Sequence, residues 1–470
     1  MQPDKSTNNT EAKIEPINIG GTFPHLAVKA THLPTRSETG IGALMPWAER
    51  LWFVTYVAHK TGTGGGTGLF WVDDQLKITK HADSRVGTYA NRIIHSESNQ
   101  LIIGPHAIDI NGTVRTFEGL VDVRLAATAR HLTDPANKVY FLGMEGELFE
   151  ADVHTMNSNL LFDLNPILGV GKRPHYKDAY TDHGRLVVAN NTYYPGDFER
   201  GESDGRLAEW DGRTWRILAR TQFNTVTGRH SESLGNAIYA VGQDRASALL
   251  YVYLPETGWK LYRLPKSTHT QDHAWTTEWP RIREVESERW MMDASGMFYE
   301  LPAMTYANAV WGIVPICRHL RIISDYCSWN GLLVMAGDQT TPIGDSNPFV
   351  GQPQSNLWFG KTDDLWHFGG KPCGWGGPWW ETTVESEQTS EPYLMTGFDQ
   401  KCLHISHADK KNGRFTVELD FQGTGCWQHY ADIETRSGYA LHVFPAGISA
   451  HWVRLVSHQA GTFTAQFFYG

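Results

Sequence analysis

Apolar runs of strand length, each closing in small or polar residues, recur along this chain at a near-constant interval. Seven can be aligned: LWFVTYV from Leu51, QLIIGPH from Gln100, KVYFLGM from Lys138, RLVVANN from Arg185, NAIYAVG from Asn236, RWMMDAS from Arg289 and LLVMAGD from Leu332. Their starts lie 38 to 53 residues apart, close to the roughly 40 to 50 residues of a four-stranded propeller blade. A further apolar strand follows each run, clearest in GLFWVDD, GELFEAD, GRLAEWDG, LLYVYLPETG, GMFYELP and NLWFGKTDD. Seven such units predict an all-β, seven-bladed β-propeller, with one strand of each blade lining a central channel and the blade faces packed on their neighbours. The runs read as the innermost strands, since Gly104, Ala189, Gly242 and Ala294 at their ends suit a crowded axis. A stack of β-sandwiches is the competing architecture, because it too has short, evenly spaced strands.

From about Glu391 the blade pattern gives way to period-two alternation in RFTVELDF, YALHVFPA, HWVRLVSH and TFTAQFFYG. This predicts a small antiparallel β-domain packed on the propeller. The expected organisation is a flexible segment over 1–18, the propeller over 19–390 and the C-terminal domain over 391–470. The Pro- and Gly-rich stretch from Thr341 to Trp380 reads as long surface loops.

Composition narrows the partners more than the fold. The 470 residues include 46 Gly, 18 Trp, 18 Tyr and 20 Phe, which favours strands and tight turns. A net charge of -10 with scattered basic residues argues against nucleic acid and anionic membrane surfaces. No apolar run reaches transmembrane length, so a soluble protein is expected. The start, MQPDKSTNNTEAKIEP, lacks a signal-peptide pattern and equally fits a mature export product behind an added Met. A secreted or periplasmic location is the expectation and the cytoplasm the alternative. Five cysteines, an odd number, do not form a disulfide framework.

Candidate chemistry gathers in loops that a propeller would bring to one mouth. Residues 50–74 deliver His59 into the glycine-rich loop Thr61 to Gly68, where backbone is almost bare of side chains. Pro105-His106, KRPHYKDAY (Lys172 to Tyr180) and HTQDHAWTTEWPRIRE (His269 to Glu284) add His, Tyr, Arg, Lys and Trp. That mixture suits an anionic sugar: cations meet a carboxylate, aromatics stack on ring faces, and His or Tyr moves protons. The competing readings are plain ones. His59 could hydrogen-bond backbone at a strand end, the glycines could form a simple turn, KRPHYK could be solvated surface, and Trp275 and Trp279 could fill gaps between blades. The glycine run lacks the Lys-Ser/Thr of a phosphate-binding loop. Cys317 and Cys327 are either buried thiols or ligands to a structural zinc.

GIGALMPW (Gly40 to Trp47), the His59 loop, NRIIHSESNQLIIGPHAID (Asn91 to Asp109), HLTDPANKVYF (His131 to Phe141), YTDHGRLVVANN and HAWTTEWPRIRE together resemble one family group. It is that of the seven-bladed propeller polysaccharide lyases, namely the ulvan lyases and the lyases that remove rhamnose from glucuronic acid, with related propeller rhamnosidases. The resemblance implies β-elimination next to a uronic acid, with His59 and His106 as proton-transfer groups and Arg124 neutralising the carboxylate. It further implies Arg173, His175, Lys177 and Tyr180 as substrate-binding residues. One structural metal ion, zinc or calcium, is implied with His183, Cys317 and Cys327 as ligands, and no organic cofactor. In two places the chain departs from the family pattern. His106 stands where a Tyr is usual, and Arg36-Ser37-Glu38-Thr39 stands where a second His precedes GIGAL. The expected partner is an oligo- or polysaccharide containing uronic acid. A propeller glycoside hydrolase and a non-catalytic glycan-binding propeller are the alternatives.

Overall fold

The computed structural model describes residues 21–22, 28–29, 39–57, 67–171, 174–192, 203–229, 237–268, 280–286, 289–302, 305, 309–319, 322–339 and 354–470. Successive strands within each repeat pair antiparallel with their chain neighbours, giving seven meanders. Blades 1 to 6 span residues 39–80, 92–116, 125–163, 176–219, 222–264 and 281–318. Their innermost strands are Thr39–Trp47, Arg92–His95, Leu125–Arg130, Tyr176–Asp182, Gln222–Gly228 and Arg281–Glu286. Blade 7 contributes Ile323–Trp329, Leu332–Gln339 and Gln354–Gly360. Its outermost place is taken by the start of the chain: Gly21 and Thr22 pair with Phe359 and Trp358, and Val28 and Lys29 with Ser355 and Gln354. Each innermost strand lies against the next, and that of blade 7 returns to that of blade 1, so the ring is closed.

All seven apolar runs fall one to a blade, yet each is the second strand and not the innermost. The reason is burial. A second strand has a paired strand on either side and a neighbouring blade on either face, so Gln100–Ile103 and Ile238–Gln243 are buried throughout. An innermost strand looks into the channel and carries polar residues there, among them Arg92, Thr128, Asp178, Arg281 and Arg283.

Six innermost strands share one irregularity. The register with the second strand skips one residue, near the strand start at Gly42, Ala126, Lys177, Asn224 and Ser324 and near the strand end at Val285. Such bulges sharpen local twist and re-aim side chains. Glycine is required at the first: a Cβ on Gly42 would lie 1.9 Å from the Tyr89 carbonyl oxygen of the next blade link.

The C-terminal domain begins at Gly374, earlier than the expected boundary near 391. Gly374–Val384 pairs with the last strand, Gly461–Tyr469, so part of the stretch read as loop is an edge strand of the sandwich, and another part, Gln354–Gly360, is the third strand of blade 7. Two sheets face each other. One holds Gly374–Val384, Gly461–Tyr469, Lys401–His407 and Tyr439–Val443; the other holds Tyr393–Leu394, Trp452–Ser457, Arg414–Asp420 and Gln428–Glu434. Trp379, Phe415 and Phe463 fill the space between them, with Phe415 and Phe463 rings 5.0 Å apart. The second sheet continues the outer strand of blade 5 through Arg263 paired with Tyr393. The buried Arg263 is held there by Asp244 at 2.7 Å and Glu391 at 3.2 Å. One hydrophobic core runs from blades 5 and 6 into the sandwich, and Trp452 Nε1 donates to the Val310 carbonyl at 2.8 Å.

Candidate functional site

Antiparallel strands sort the loops to the two ends of the ring. Innermost strands all start at one end, here called upper. Links between blades and turns from second to third strand therefore lie there, while turns from first to second strand lie at the lower end. Arg124 and His175 end the links into blades 3 and 4. Glu145 sits on the second-to-third turn of blade 3, and Asn191 and Thr192 follow the second strand of blade 4. The strand before His59 also ends there, at Val57. His59 itself and Arg173 lie outside the described residues.

These positions form one polar cluster. His175 Nδ1 is 2.6 Å from Asn191 Oδ1, and its backbone N–H donates to Thr192 Oγ1 at 2.9 Å. The Asn191 N–H returns a bond to the His175 carbonyl at 3.0 Å, fixing the loop from both sides. Arg124 Nε donates to Glu145 Oε1 at 2.6 Å, and the Arg124 carbonyl accepts the Met144 N–H at 2.7 Å. Lys177, the bulged residue of blade 4, is buried beside this loop. Burial, then the charges of Lys177 and Arg124, hold the His175 imidazole well below its usual range, against the opposing bond to Asn191. The ring is therefore neutral at physiological pH, with two cations close by.

Not every expected residue joins it. His106 is fully buried at the start of the third strand of blade 2, with Nδ1 3.0 Å from Thr116 Oγ1. Burial, helped by the charges of Arg85 and His81, pushes it down to about 3. A sealed imidazole cannot meet a substrate, so the role in proton transfer expected of His106 is withdrawn. Tyr180 lines the channel, and burial pushes its phenol up.

The expected metal ligands are also scattered. Cys317 packs between blades 6 and 7, Cys327 between blades 7 and 1, and His183 occupies a lower turn against Tyr253, rings 5.4 Å apart. Burial pushes the Cys317 thiol up to about 12 and Cys327 higher still. The structure therefore places the three expected ligands in different parts of the ring and does not bring them together. Among the described residues, no three His, Cys, Asp or Glu side chains are gathered within reach of one ion. All five cysteines are free thiols.

The channel holds a charge arrangement that the residue order alone did not reveal. Asp178 and Asp325 each follow a bulged residue and each reach the next blade. Asp178 Oδ2 accepts from Val226 N at 3.1 Å and Thr225 Oγ1 at 2.6 Å, while Asp325 Oδ2 accepts from Leu44 N at 2.9 Å. In both, the N–H belongs to the second residue past the next blade's bulge. The two carboxylates are equivalent staples, blade 4 to 5 and blade 7 to 1. Asp325 also takes Arg92 Nε at 2.6 Å and Arg283 Nε at 2.7 Å. The signal was present as an Asp directly after a bulge position, but bulges are not marked by residue type.

No family model and no curated protein matches the sequence. Solved structures similar in fold include the RRP9 WD40 repeats, 10% identical over 73% of this chain and 100% of that one, TM-score 0.42. The U3-55K structure is 10% identical over 70% and 97%, TM-score 0.40. The Cps50 (Swd1) β-propeller domain of Myceliophteria thermophila is 10% identical over 68% and 96%, TM-score 0.38. Likeness at this level extends to the fold alone. By its own strand pairing and ring closure, the chain is a seven-bladed β-propeller carrying a C-terminal antiparallel β-sandwich.

Proposed function

We propose that the upper mouth binds an acidic sugar and that the protein is a polysaccharide lyase, cleaving by β-elimination next to a uronic acid. The observation that carries this reading is the gathering of His175, Arg124 and Lys177 at one end of the ring. Elimination removes the C5 proton of the uronate, accumulates negative charge on its carboxylate and expels the 4-linked oxygen. His175 is neutral and able to accept a proton, Arg124 lies where a carboxylate would be met, and the buried Lys177 adds positive charge behind them. The same carboxylate would offset the two cations that now depress the imidazole, raising its proton affinity when substrate is bound. His59, whose preceding strand ends at this mouth, is assigned to the leaving oxygen. Positioned proton transfer contributes roughly 10²- to 10⁴-fold, so neither imidazole suffices alone.

Incubation with rhamnosyl-glucuronate glycans and ulvan, following the ultraviolet absorbance of the unsaturated uronate, tests the proposal. Turnover should fall on the order of 100-fold in His175→Ala and in Arg124→Ala. Absence of the chromophore on every such glycan would defeat elimination, and release of a saturated sugar would select a hydrolase. A second reading, a non-catalytic glycan-binding propeller, draws support from the sealed His106 and from the ion pair between Arg124 and Glu145. It requires binding without turnover.

A further inference from the structure

The innermost strands enclose a cavity of about 790 Å³ along the axis. Its lining runs from the strand starts at Asn91 and Arg281 to Ser96, Arg130 and Arg229 at the lower end, and does not include His175. We infer that this channel is a second binding site, separate from the upper mouth, for a small carboxylate or similar oxyanion.

The argument begins with a charge imbalance. Arg92 from blade 2 and Arg283 from blade 6 converge on the single carboxylate of Asp325. Asp178 acts on both Arg281 and Arg283; at the lower end Arg130 is paired with Glu97 and Arg229 with Glu284, and Glu286 adds a further carboxylate to the lining. At the centre, among the described residues, the guanidiniums of Arg92, Arg281 and Arg283 share the two carboxylates of Asp178 and Asp325. Buried charge without a counter-charge is costly, so an anion entering here is favoured.

Hydrogen-bond capacity points the same way. Arg283 Nε is used by Asp325 and Nη1 by the Ile282 carbonyl at 3.0 Å, while Nη2 has no partner among the described residues. Arg92 Nη1 lies 2.7 Å from the Met45 sulfur, a weak acceptor. A guanidinium nitrogen without an acceptor among the described residues, and another held only by a sulfur, thus line one space, and an oxyanion satisfies both. The volume lies within the roughly 300 to 1,000 Å³ of small-molecule pockets.

Calorimetric titration of the full chain with sodium D-gluconate, and with D-sorbitol as its uncharged counterpart, tests the inference. Gluconate should bind saturably and sorbitol at least about tenfold more weakly, the factor that corresponds to roughly one lost charged contact. Arg283→Gln should weaken gluconate by a similar factor. Ile94→Trp, which places an indole in the cavity wall away from the Asp325 cluster, should abolish binding. His175→Ala should leave it intact, which separates this site from the mouth whatever the mouth does. No saturable gluconate binding, equal binding of sorbitol, or unchanged binding in Ile94→Trp would overturn the inference. If Arg283→Gln fails to fold, Ile94→Trp decides.

Discussion

Replacing Asp325 with asparagine should loosen the closure between blades 7 and 1 at its centre. The carboxylate is fully buried and holds Leu44 N, Arg92 and Arg283 together. Burial alone would raise its pKa, but Arg283, Arg92 and the Leu44 N–H outweigh burial and hold it at about 2, against an ordinary 3.8. That difference corresponds to about 2 to 3 kcal/mol of stability at neutral pH. Because the folded value is depressed, this contribution is complete above about pH 5 and is lost as pH falls toward 2. Asparagine keeps an oxygen for Leu44 but leaves two guanidiniums facing a neutral amide. Removing one partner of a buried pair costs about 3 to 5 kcal/mol, more than the proton linkage alone, since the orphaned charge is counted too. Urea unfolding followed by tryptophan fluorescence at pH 7, 5 and 3 measures both effects. The variant should be less stable at pH 7 and should lose less on acidification than the parent. A loss below about 1 kcal/mol, the scale of an exposed pair, would refute the reasoning. So would equal acid sensitivity of the two proteins.

The equivalent staple should behave alike on a smaller scale: Asp178→Ala, which releases Val226 N and Thr225 Oγ1, should cost about 2 to 3 kcal/mol in the same urea assay, as charged hydrogen bonds do. Gly42→Ala should abolish soluble folded protein or cost more than about 3 kcal/mol, because the new Cβ meets backbone and not a movable side chain; a circular-dichroism melt matching the parent would count against the bulge geometry. Trp452→Phe leaves the Val310 carbonyl without its donor and should lower the calorimetric transition of the sandwich, by about 1 to 3 kcal/mol in stability. With its pKa already depressed, His175 should add no inflection to the pH-rate profile of kcat/KM between pH 6 and 8. An inflection there that vanishes in His175→Asn would show the imbalance of charge around the ring to be misjudged.

Repeat number, strand content and the presence of a second β-domain were legible in the chain because burial imposes them on residue type. Second strands are enclosed on every side, so Leu51 to Val57 and Ile238 to Gln243 advertise themselves as apolar runs. Innermost strands answer to the channel and mix Ala, Thr, Arg and Asp, which reads as no strand in particular. The sandwich boundary was misplaced because Gly374–Val384, GWGGPWWETTV, has the composition of a loop and is held in place by partners that arrive some eighty residues later. Arg124, His175 and Lys177 were recoverable because each flanks the start of an innermost strand, and such starts converge. His106 was not: the turn before it looks like its neighbours in sequence, and only the fold shows the ring buried, with Nδ1 against Thr116 Oγ1.

Blade 7 completes its sheet with residues 21–22 and 28–29, so the ring is fastened by two stretches of polypeptide made at opposite times. During synthesis the first of them must wait, unpaired, until more than three hundred further residues have emerged. Closure is thus the slow, long-range event in assembly, and a chaperone or a competing strand has its opening there. A chain cut between Lys29 and Thr39 would hold those strands only as a detachable peptide, turning ring closure into a concentration-dependent association that can be titrated.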